Sequence, residues 1–312
     1  MATSKDEQKP FFMRKPNDFP PKLLSDCRPQ FLIGDAREVI SKLPADFFQT
    51  CVTSPPYWGL RNYETEAQIG FELRPEDYVR DLTAVFSEVK RVLRPDGVLW
   101  LNIGDSYTSG NRKYRDSDKK LPQRGMGFRA PTPPGWKDKE LVGIPWMLAK
   151  ALQRDGWYLR ADIIWYKPNC MPESVKDRVT RSHEYVFMMA KSERYFYDSV
   201  AAKEENGRNW RTVWAINTEP CPIAHFATYP KELVKRCLVA STRKGDWVLD
   251  PFAGSGTTML VAQQEKRNSL GIELNSEYKQ VILDRFDLER TGRKSRKKIV
   301  PDLQPNFPEL DV

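Results

Sequence analysis

The sequence predicts an α/β fold, with a mainly parallel, doubly wound β-sheet flanked by helices. Apolar runs typical of strands alternate with amphipathic stretches typical of helices through most of the chain, and this alternation is characteristic of parallel sheets. One strand-like run, 247–250, leads into a glycine-rich turn and then a helix, which is how ligand sites are built at the carboxyl ends of parallel strands. With 312 residues, the chain is long enough for one large domain of this kind with insertions.

The first half of the chain contains three strand-like and two helix-like segments. In chain order they are QFLIG (30–34), AREVISKL, FFQTCVT, PEDYVRDLTAVFSEVKRVL (75–93) and GVLWLNIG. The segment 75–93 has apolar residues at the three- and four-residue spacing of a helix. Pro75 suits its first turn, where a backbone N–H is unpaired in any case, and Gly97 provides a stop signal. FFQTCVT ends at two prolines, which cannot continue a central strand.

The second half continues the alternation up to the C-terminal tail. It comprises a helix at about 143–155, the strands WYLRADIIWY and HEYVFMMA, the helix YPKELVKRCLVAS, the strand WVLD, the helix GTTMLVAQQEK, the strand NSLGIE and the helix NSEYKQVILDRF. Because strands and helices take turns, neighbouring strands are expected to be mostly parallel.

Two stretches interrupt the alternation, and two tails flank it. Residues 105–140 are basic and rich in glycine and proline, while 195–225 are irregular and contain several tryptophans and arginines. A loop as long as the first is either functional or disordered. Residues 1–28 and 291–312 are charged, rich in proline and without periodicity, so we expect tails there. The expected folded domain is therefore 29–290.

The composition excludes several classes of protein. The five cysteines are scattered without CxxC spacing and there are two histidines, so neither a disulfide framework nor a metal site is expected. No apolar run reaches the roughly 18 residues of a membrane span, and the N-terminus lacks the apolar core of a signal peptide. We therefore expect a cytoplasmic protein with no membrane partner. The net charge of +8 favours a polyanionic partner.

The stretch TSPPYW (53–58) places two prolines between a serine and two aromatic residues, directly after a strand. Each proline fixes φ and removes a backbone donor. The stretch is either a rigid turn that ends a strand or a stiff corner that holds a polar group and a ring in place for chemistry.

Residues 247–258 (WVLDPFAGSGTT) contain a strand, a Gly-Ser-Gly turn and the start of a helix. Gly254 and Gly256 permit a tight turn and close approach of a ligand to the backbone. The pattern matches neither GxGxxG nor a P-loop, and Asp250 would repel a pyrophosphate but suit a cationic ligand. In LGIELN, Glu273 ends the next strand, where its carboxylate can accept hydrogen bonds from both ribose hydroxyls of a nucleotide-like ligand. The alternative is an ordinary strand–turn–helix without a ligand.

DPFAGSGTT followed by GIELN, with TSPPYW upstream, resembles the S-adenosylmethionine-dependent methyltransferases that modify N6 of adenine or N4 of cytosine in DNA. Five further segments are similar to the same family: GDAREVI, GVLWLNIGDSY, DIIWYKPN, RSHEYVFMMAKSERYFYD and HFATYPKELV. The resemblance covers about 29–290. It implies a Rossmann-like methyltransferase fold with circularly permuted motif order, because SPPY precedes the cofactor glycines as it does in the β group of the family.

The resemblance implies roles for the motif residues. The implied catalytic tetrad is Ser54, Pro55, Pro56 and Tyr57. The implied ligands of S-adenosylmethionine are Asp35, Asp250, Phe252, Gly254, Gly256, Thr257 and Glu273. Among these, Asp35 is expected at the adenine amino group of the cofactor and Glu273 at its ribose, with the glycine turn around the methionine portion. No metal ligand is implied.

The first residue of the tetrad bears on the target base. In the resembled family, enzymes with Asp or Asn there usually methylate adenine, whereas those with Ser usually methylate N4 of cytosine. Ser54 therefore favours cytosine N4, and adenine N6 remains open. Methylation of cytosine C5 is not expected, because the Pro-Cys pair of that class follows the cofactor glycines, whereas Cys221 precedes them. We interpret Cys221 as structural.

Candidates for DNA contact lie just after the tetrad and in the first insertion. They are Trp58, Arg61, Arg112, Lys113, Arg115, Arg124 and Arg129. Basic side chains in such a loop can bind phosphates or bases, although a solvated basic face is the alternative. Trp58 could equally be a core residue, and Arg61 could cap its loop. The family's usual recognition region corresponds to 195–225, which is short here, so the location of specificity is open between the two insertions.

These observations give the hypothesis of a site-specific DNA cytosine-N4 methyltransferase of a prokaryote or phage. It would act on double-stranded DNA, alone or with a cognate restriction endonuclease, as a monomer or homodimer. Three alternatives stay open: an adenine-N6 methyltransferase of the same fold, a DNA-binding protein that keeps the scaffold without catalysis, and a methyltransferase of RNA or protein.

Overall fold

The structure, a computed structural model, describes residues 12–13, 27, 29–59, 68–108, 132–219 and 228–291. The described strands are β1 (Phe12–Met13), β2 (Pro29–Ile33), β3 (Phe48–Thr53), β4 (Leu93–Ile103), β5 (Tyr158–Tyr166), β6 (His183–Ala190), β7 (Val213–Ala215), β8 (Trp247–Asp250) and β9 (Asn268–Glu273). The described helices are α1 (Ala36–Ser41), α2 (Pro75–Val92), α3 (Ile144–Arg154), α4 (Lys231–Ser241), α5 (Thr257–Gln264) and α6 (Tyr278–Thr291).

The described strands form one sheet in the order β1-β2-β9-β8-β3-β4-β6-β5-β7. Neighbouring strands from β1 to β4 are all parallel, and so are β5 and β7. β6 runs antiparallel to both of its neighbours, β4 and β5. The predicted α/β fold with a mainly parallel sheet is confirmed. This order places β3, which leads into the diproline corner, beside β8, which leads into the glycine turn.

Alternate residues of the central strands face two different hydrophobic clusters. Cys51 packs in a cluster with α1, α2 and α3, whereas the next residue, Val52, packs in a cluster with α4 and part of α5. Successive side chains of a strand point to opposite faces, so the two clusters are the two sides of one sheet. The doubly wound arrangement follows, since both faces of β3 need an apolar cover. None of the described helices combines the length and apolarity that a membrane span requires.

Two strands lie in segments where the sequence predicts none. β7 lies within the irregular insertion 195–225, and its central residue Trp214 is buried against Trp100, with ring centroids 6.1 Å apart. Three residues are too few for a detectable alternation. β1 lies in the expected N-terminal tail and pairs with β2 at the sheet edge. β4 also begins at Leu93, immediately after α2 and earlier than predicted from Gly97.

Candidate active site

A cavity of about 920 Å³ opens where the parallel strands end. Its wall includes residues that follow β2, β3, β4, β8 and β9, together with the end of β5 and the start of β6. Since β6 is antiparallel, its first residues lie at the same edge as the last residues of its neighbours. Ser54 of the diproline corner and Gly254 of the glycine turn both line this cavity, so the structure brings the two motifs together.

Asp250 joins the two motifs from behind the cavity wall. Its side chain accepts hydrogen bonds from Thr53 Oγ1 at 2.7 Å and from the Tyr229 hydroxyl at 2.9 Å, and its Oδ1 also accepts from the Phe252 N–H at 3.1 Å. Burial raises the pKa of Asp250, although these hydrogen bonds act against that rise. The structure therefore places Asp250 as a tie between the ends of β3 and β8, while the residues that follow it line the cavity.

The glycine turn is shaped by two residues with left-handed backbone conformations. Gly254 has φ of +50° and lines the cavity, and a Cβ added there would meet no protein atom within 4 Å. Gly256 has φ of +79° and precedes α5, where an added Cβ would come within 3.2 Å of Met259. Gly254 thus leaves room on the cavity side, whereas Gly256 permits the packing of the helix behind it. Phe252 and Thr257 both line the cavity.

Glu273 ends β9 beside the glycine turn. Its Oε2 accepts a hydrogen bond from the Gly254 N–H at 2.8 Å, and its Oε1 accepts one from the Asn275 N–H at 3.0 Å. Burial raises the pKa of Glu273 to about 7, despite the opposing effect of the backbone N–H groups. Each carboxylate oxygen has a second lone pair, so both can also accept from a ligand hydroxyl.

Asp35 follows β2 on the same side of the cavity and caps the N-terminus of α1. It accepts from the backbone N–H of Arg37 at 2.8 Å and forms an ion pair with the guanidinium of the same residue at 2.5 Å. Burial alone would raise the pKa of Asp35, but the hydrogen bonds and charge of Arg37 outweigh it and lower the pKa below its usual value. Asp35 is therefore ionised at neutral pH, and it lines the cavity.

The charged groups of the cavity are divided between its two ends. Asp35 and Glu273 lie around the glycine turn, while Lys167 and Arg181 lie at the other end, near β5 and β6, where they pair with Glu184 and Asp105. No described lysine or arginine lines the cavity beside these two carboxylates, which suits a ligand with hydroxyl, amino and sulfonium groups and disfavours a phosphate. This donor set and the open space at Gly254 fit S-adenosylmethionine.

The four residues of the diproline corner all line the cavity. The Tyr78 hydroxyl, on the buried face of α2, donates to the Pro56 carbonyl at 2.7 Å and fixes the corner from behind. The Tyr57 ring lies against the backbone of Gly104, where an added Cβ would come within 2.6 Å of Cε2. The corner therefore holds a hydroxyl and an aromatic ring in defined places, as the second interpretation of TSPPYW requires.

Two polar residues that sequence reasoning missed, Asn102 and Glu184, contact the tetrad, and a third, Lys167, pairs with Glu184. Asn102 Nδ2 lies 3.3 Å from Ser54 Oγ and 2.9 Å from the Tyr57 hydroxyl. Glu184 accepts from both the Tyr57 hydroxyl, at 2.6 Å, and Asn102, at 2.9 Å, and it is paired with Lys167. The signal for Asn102 was present in the sequence, because it is a single amide within the apolar strand GVLWLNI.

The candidates for DNA contact are mostly untested by the structure. Trp58 is 4% exposed, belongs to the core, and donates its indole N–H to the Glu72 carbonyl at 2.8 Å. The core interpretation of Trp58 is thus the one that the structure supports, because no ring face is left for a base. The other candidates, and Cys221, lie outside the described residues: Arg61, Arg112, Lys113, Arg115, Arg124 and Arg129.

Known proteins are similar to this chain in sequence and in fold. Residues 48–284 match a family described as DNA methylase. The Type II methyltransferase M.Cfr9I of Citrobacter freundii is 57% identical over 263 residues, which cover 83% of this chain and 88% of that protein. Two solved structures are similar in fold. PvuII DNA methyltransferase (cytosine-N4-specific) has a TM-score of 0.65 at 21% identity, covering 83% of this chain and 86% of that one. A putative DNA modification methylase of Thermus thermophilus, solved with S-adenosyl-L-methionine, has a TM-score of 0.58 at 27% identity, covering 84% and 96%.

The fold is that of an S-adenosylmethionine-dependent methyltransferase. The chain belongs to the DNA methylase family whose members modify N4 of cytosine or N6 of adenine, and it is a Type II DNA methyltransferase. The predicted family, fold and cofactor are therefore confirmed.

Proposed function

We propose that this protein transfers a methyl group from S-adenosylmethionine to N4 of cytosine within a specific sequence of double-stranded DNA. The observation that carries the proposal is that Ser54, the first residue of the tetrad, lines the same cavity as Gly254 and Glu273. In the family that the sequence resembles, enzymes with serine at this position usually methylate N4 of cytosine. The hydroxyl is thus in a place to meet a target amino group beside the cofactor.

The acidic end of the cavity is the proposed cofactor site. Glu273 accepts from the ribose hydroxyls, Asp35 accepts from the adenine amino group, and the turn from Phe252 to Thr257 surrounds the methionine portion. Asp250 contributes by fixing the start of this turn through Thr53 and Tyr229. When bound, S-adenosylmethionine supplies an electrophilic methyl group on a positively charged sulfur.

The tetrad acts on the nucleophile. The exocyclic nitrogen of cytosine is a poor nucleophile because its lone pair is delocalised into the ring. Ser54 Oγ and the Pro55 carbonyl accept hydrogen bonds from the two N–H bonds, and they stabilise the more tetrahedral nitrogen of the transition state more than the planar nitrogen of the ground state. Two consecutive prolines keep these acceptors in place, so little reorganisation is needed.

The target base must leave the duplex to reach this cavity. Flipping a base out of the stack costs a few kcal/mol, and stacking on an aromatic ring recovers about 1–3 kcal/mol. Tyr57 is the aromatic member of the tetrad that lines the cavity, and its ring is held by Gly104 and by hydrogen bonds to its hydroxyl. We assign it the stacking role.

The test is to identify the methylated nucleoside. DNA treated with the purified protein and methyl-labelled S-adenosylmethionine is digested to nucleosides, and N4-methylcytosine is the expected product. Label in N6-methyladenine would show that the target is adenine and not cytosine.

We expect Ser54→Ala to lower kcat at least about 100-fold, because an acceptor in the transition state is lost. Ser41→Ala, at the exposed end of α1, is the matched control and should keep wild-type activity. Equal methyl transfer by Ser54→Ala and wild type would remove the catalytic assignment.

The same proposal includes the biological setting. The curated relative M.Cfr9I is a Type II methyltransferase of a bacterium, which supports a role in a restriction–modification system in the bacterial cytoplasm. The partner would then be a restriction endonuclease that cuts the same sequence. Residues 29–290 would form the catalytic domain, with the insertions 105–140 and 195–225 facing DNA. Sequencing DNA that carries the gene, with chemistry sensitive to base modification, gives the protected sequence.

A further inference from the structure

A chain of hydrogen bonds leads from Ser54 to a carboxylate outside the tetrad. Ser54 Oγ lies 3.5 Å from the Tyr57 hydroxyl, which lies 2.6 Å from Glu184 Oε2. The other oxygen of Glu184 is paired with the ammonium of Lys167, and that ammonium lies 4.4 Å from the ring centroid of Trp165. All these residues line the cavity, so this series of hydrogen bonds lies on the wall that faces the target base in the proposed function.

The carboxylate fixes the direction of these hydrogen bonds, that is, which group donates and which accepts. An ionised carboxylate can accept hydrogen bonds but not donate them. The Tyr57 hydroxyl must therefore donate to Glu184. Its oxygen accepts from Asn102 Nδ2 at 2.9 Å and has a second lone pair that can accept from Ser54. The same reasoning orients Asn102, because its nitrogen rather than its oxygen must face Glu184 at 2.9 Å. Burial and the adjacent carboxylate raise the pKa of Tyr57 well above its usual value, so this donor keeps its proton.

We infer that Glu184 is a positioning residue. Held by Lys167, it accepts a hydrogen bond from Tyr57, so Tyr57 in turn accepts a hydrogen bond from Ser54. A lone pair of Ser54 then faces the target amino group. This inference rests on the proposed function, in which Ser54 Oγ is an acceptor. A serine hydroxyl rotates freely and can present either its proton or a lone pair. A proton facing the target N–H would repel it, whereas a lone pair accepts from it.

An amide in place of the carboxylate would allow the opposite direction. In Glu184→Gln, the side-chain nitrogen can donate to the Tyr57 oxygen. Tyr57 can then donate to one of the two lone pairs of Ser54, and the Ser54 proton, no longer held by Tyr57, is free to face the base. The size and shape of the residue hardly change, so the substitution tests direction rather than packing.

The first experiment compares Glu184→Gln with wild type in steady-state kinetics and in binding. We expect kcat to fall about 10-fold or more, since an acceptor in the transition state is misdirected. We expect Kd for S-adenosylmethionine, Kd for cognate DNA and Tm to stay close to the wild-type values. Glu88→Gln is the matched control, because Glu88 also pairs with a cation, Arg91, at 2.8 Å but lies on α2 and does not line the cavity. It should keep the wild-type kcat.

The second experiment is a double-mutant cycle with Tyr57→Phe, which interrupts the chain at its middle. Alone, it should also lower kcat about 10-fold or more while leaving a ring to stack. In the Tyr57→Phe background, Glu184→Gln should cost about threefold or less, because coupled residues are not additive. Additive losses would show that Glu184 acts without Tyr57. Unchanged kcat in either single variant would also overturn the inference, and Tyr57→Phe provides this test even if Glu184→Gln fails to fold.

The outcome is separable from that of the proposed function. If wild type produces N4-methylcytosine and the cycle is additive, the role of Glu184 is wrong and the reaction stands. If wild type modifies another position or no base at all, the proposed function is wrong, whatever the variants do.

Discussion

At the scale of single residues, the two carboxylates of the proposed cofactor site are tuned in opposite directions. Arg37 forms an ion pair with Asp35 and lowers its pKa, whereas burial next to the glycine turn raises the pKa of Glu273 to about 7. A group with a pKa near neutrality changes charge in the range where the enzyme works. Glu273 is therefore the residue through which pH is expected to act on cofactor binding.

We predict that S-adenosylmethionine binds about tenfold more weakly at pH 6 than at pH 8. Below pH 7, most of the Glu273 carboxyl is protonated and is a poorer acceptor for ribose hydroxyls, while above pH 7 it is ionised. Calorimetric titration without DNA measures this directly. Glu273→Gln should bind the cofactor weakly and without this pH dependence.

The matched control for this titration is Glu38→Gln on the exposed side of α1. It changes the same chemical group at a distance from the glycine turn and should keep the wild-type pH profile. A wild-type affinity that is the same at pH 6 and pH 8 would contradict the role of Glu273. So would a Glu273→Gln protein that retains the pH dependence.

At the scale of elements, local patterns predicted most of the sheet. The strands β6, β8 and β9 agree with the predicted segments residue for residue, because each is an apolar run bounded by polar or turn-forming residues. The meeting of β3 and β8 could be expected from the family resemblance. The partners of Asp250 could not, because they depend on side-chain directions at the ends of two strands that are distant in sequence.

The Glu184 contact shows the same limit more sharply. Glu184 is the second residue of β6, and it reaches Tyr57 because β6 is antiparallel and its start lies beside the ends of β4 and β5. Sequence periodicity gives a strand but not its direction in the sheet. A strand inserted in the parallel sense would carry this carboxylate to the opposite edge, so the residue could not be assigned from pattern alone.

The close approach of β4 to the tetrad leads to a second prediction. Gly104 follows β4, and a Cβ there would lie 2.6 Å from Cε2 of Tyr57 and 3.2 Å from Cδ2. We expect Gly104→Ala to displace the ring and to lower kcat at least about 10-fold, because misplacement by about 1 Å is costly in catalysis. Steady-state methylation assays measure the loss, and Kd for S-adenosylmethionine should change little.

Gly59→Ala separates this effect from a general loss of stability. Gly59 has φ of +69°, so a side chain strains the backbone, but the added Cβ meets no atom within 4 Å. It adds the same methyl group two residues after Tyr57 without touching the ring. We expect Gly59→Ala to lower Tm and to keep kcat within about threefold of wild type. Equal kcat for wild type and Gly104→Ala would show that the ring is not held by β4.

At the scale of the whole molecule, charge is distributed in a way that suits its two ligands. The net charge is +8, yet the proposed cofactor end of the cavity is acidic, and the described cations of the cavity, Lys167 and Arg181, lie at the other end, each paired with a carboxylate. The insertion 105–140 leaves the sheet after β4, whose end also lines the cavity. Its basic residues are therefore the proposed phosphate contacts for DNA that presents a base to Tyr57.

Replacing Arg112, Lys113, Arg115, Arg124 and Arg129 together by alanine should weaken DNA binding and reduce its salt dependence. Each lost phosphate contact lowers the slope of log K against log salt by about 0.9, so five contacts would lower it by about 4.5. Titrations of cognate DNA at several salt concentrations measure the slope, and cofactor affinity should not change. The control replaces Lys42, Arg154 and Lys244, which are exposed at the edge where strands begin, opposite the cavity. Because these charges lie away from the proposed DNA face, their loss should leave the slope nearly unchanged. If both variants lowered the slope equally per charge, the insertion would act only through net charge and would not be the DNA contact.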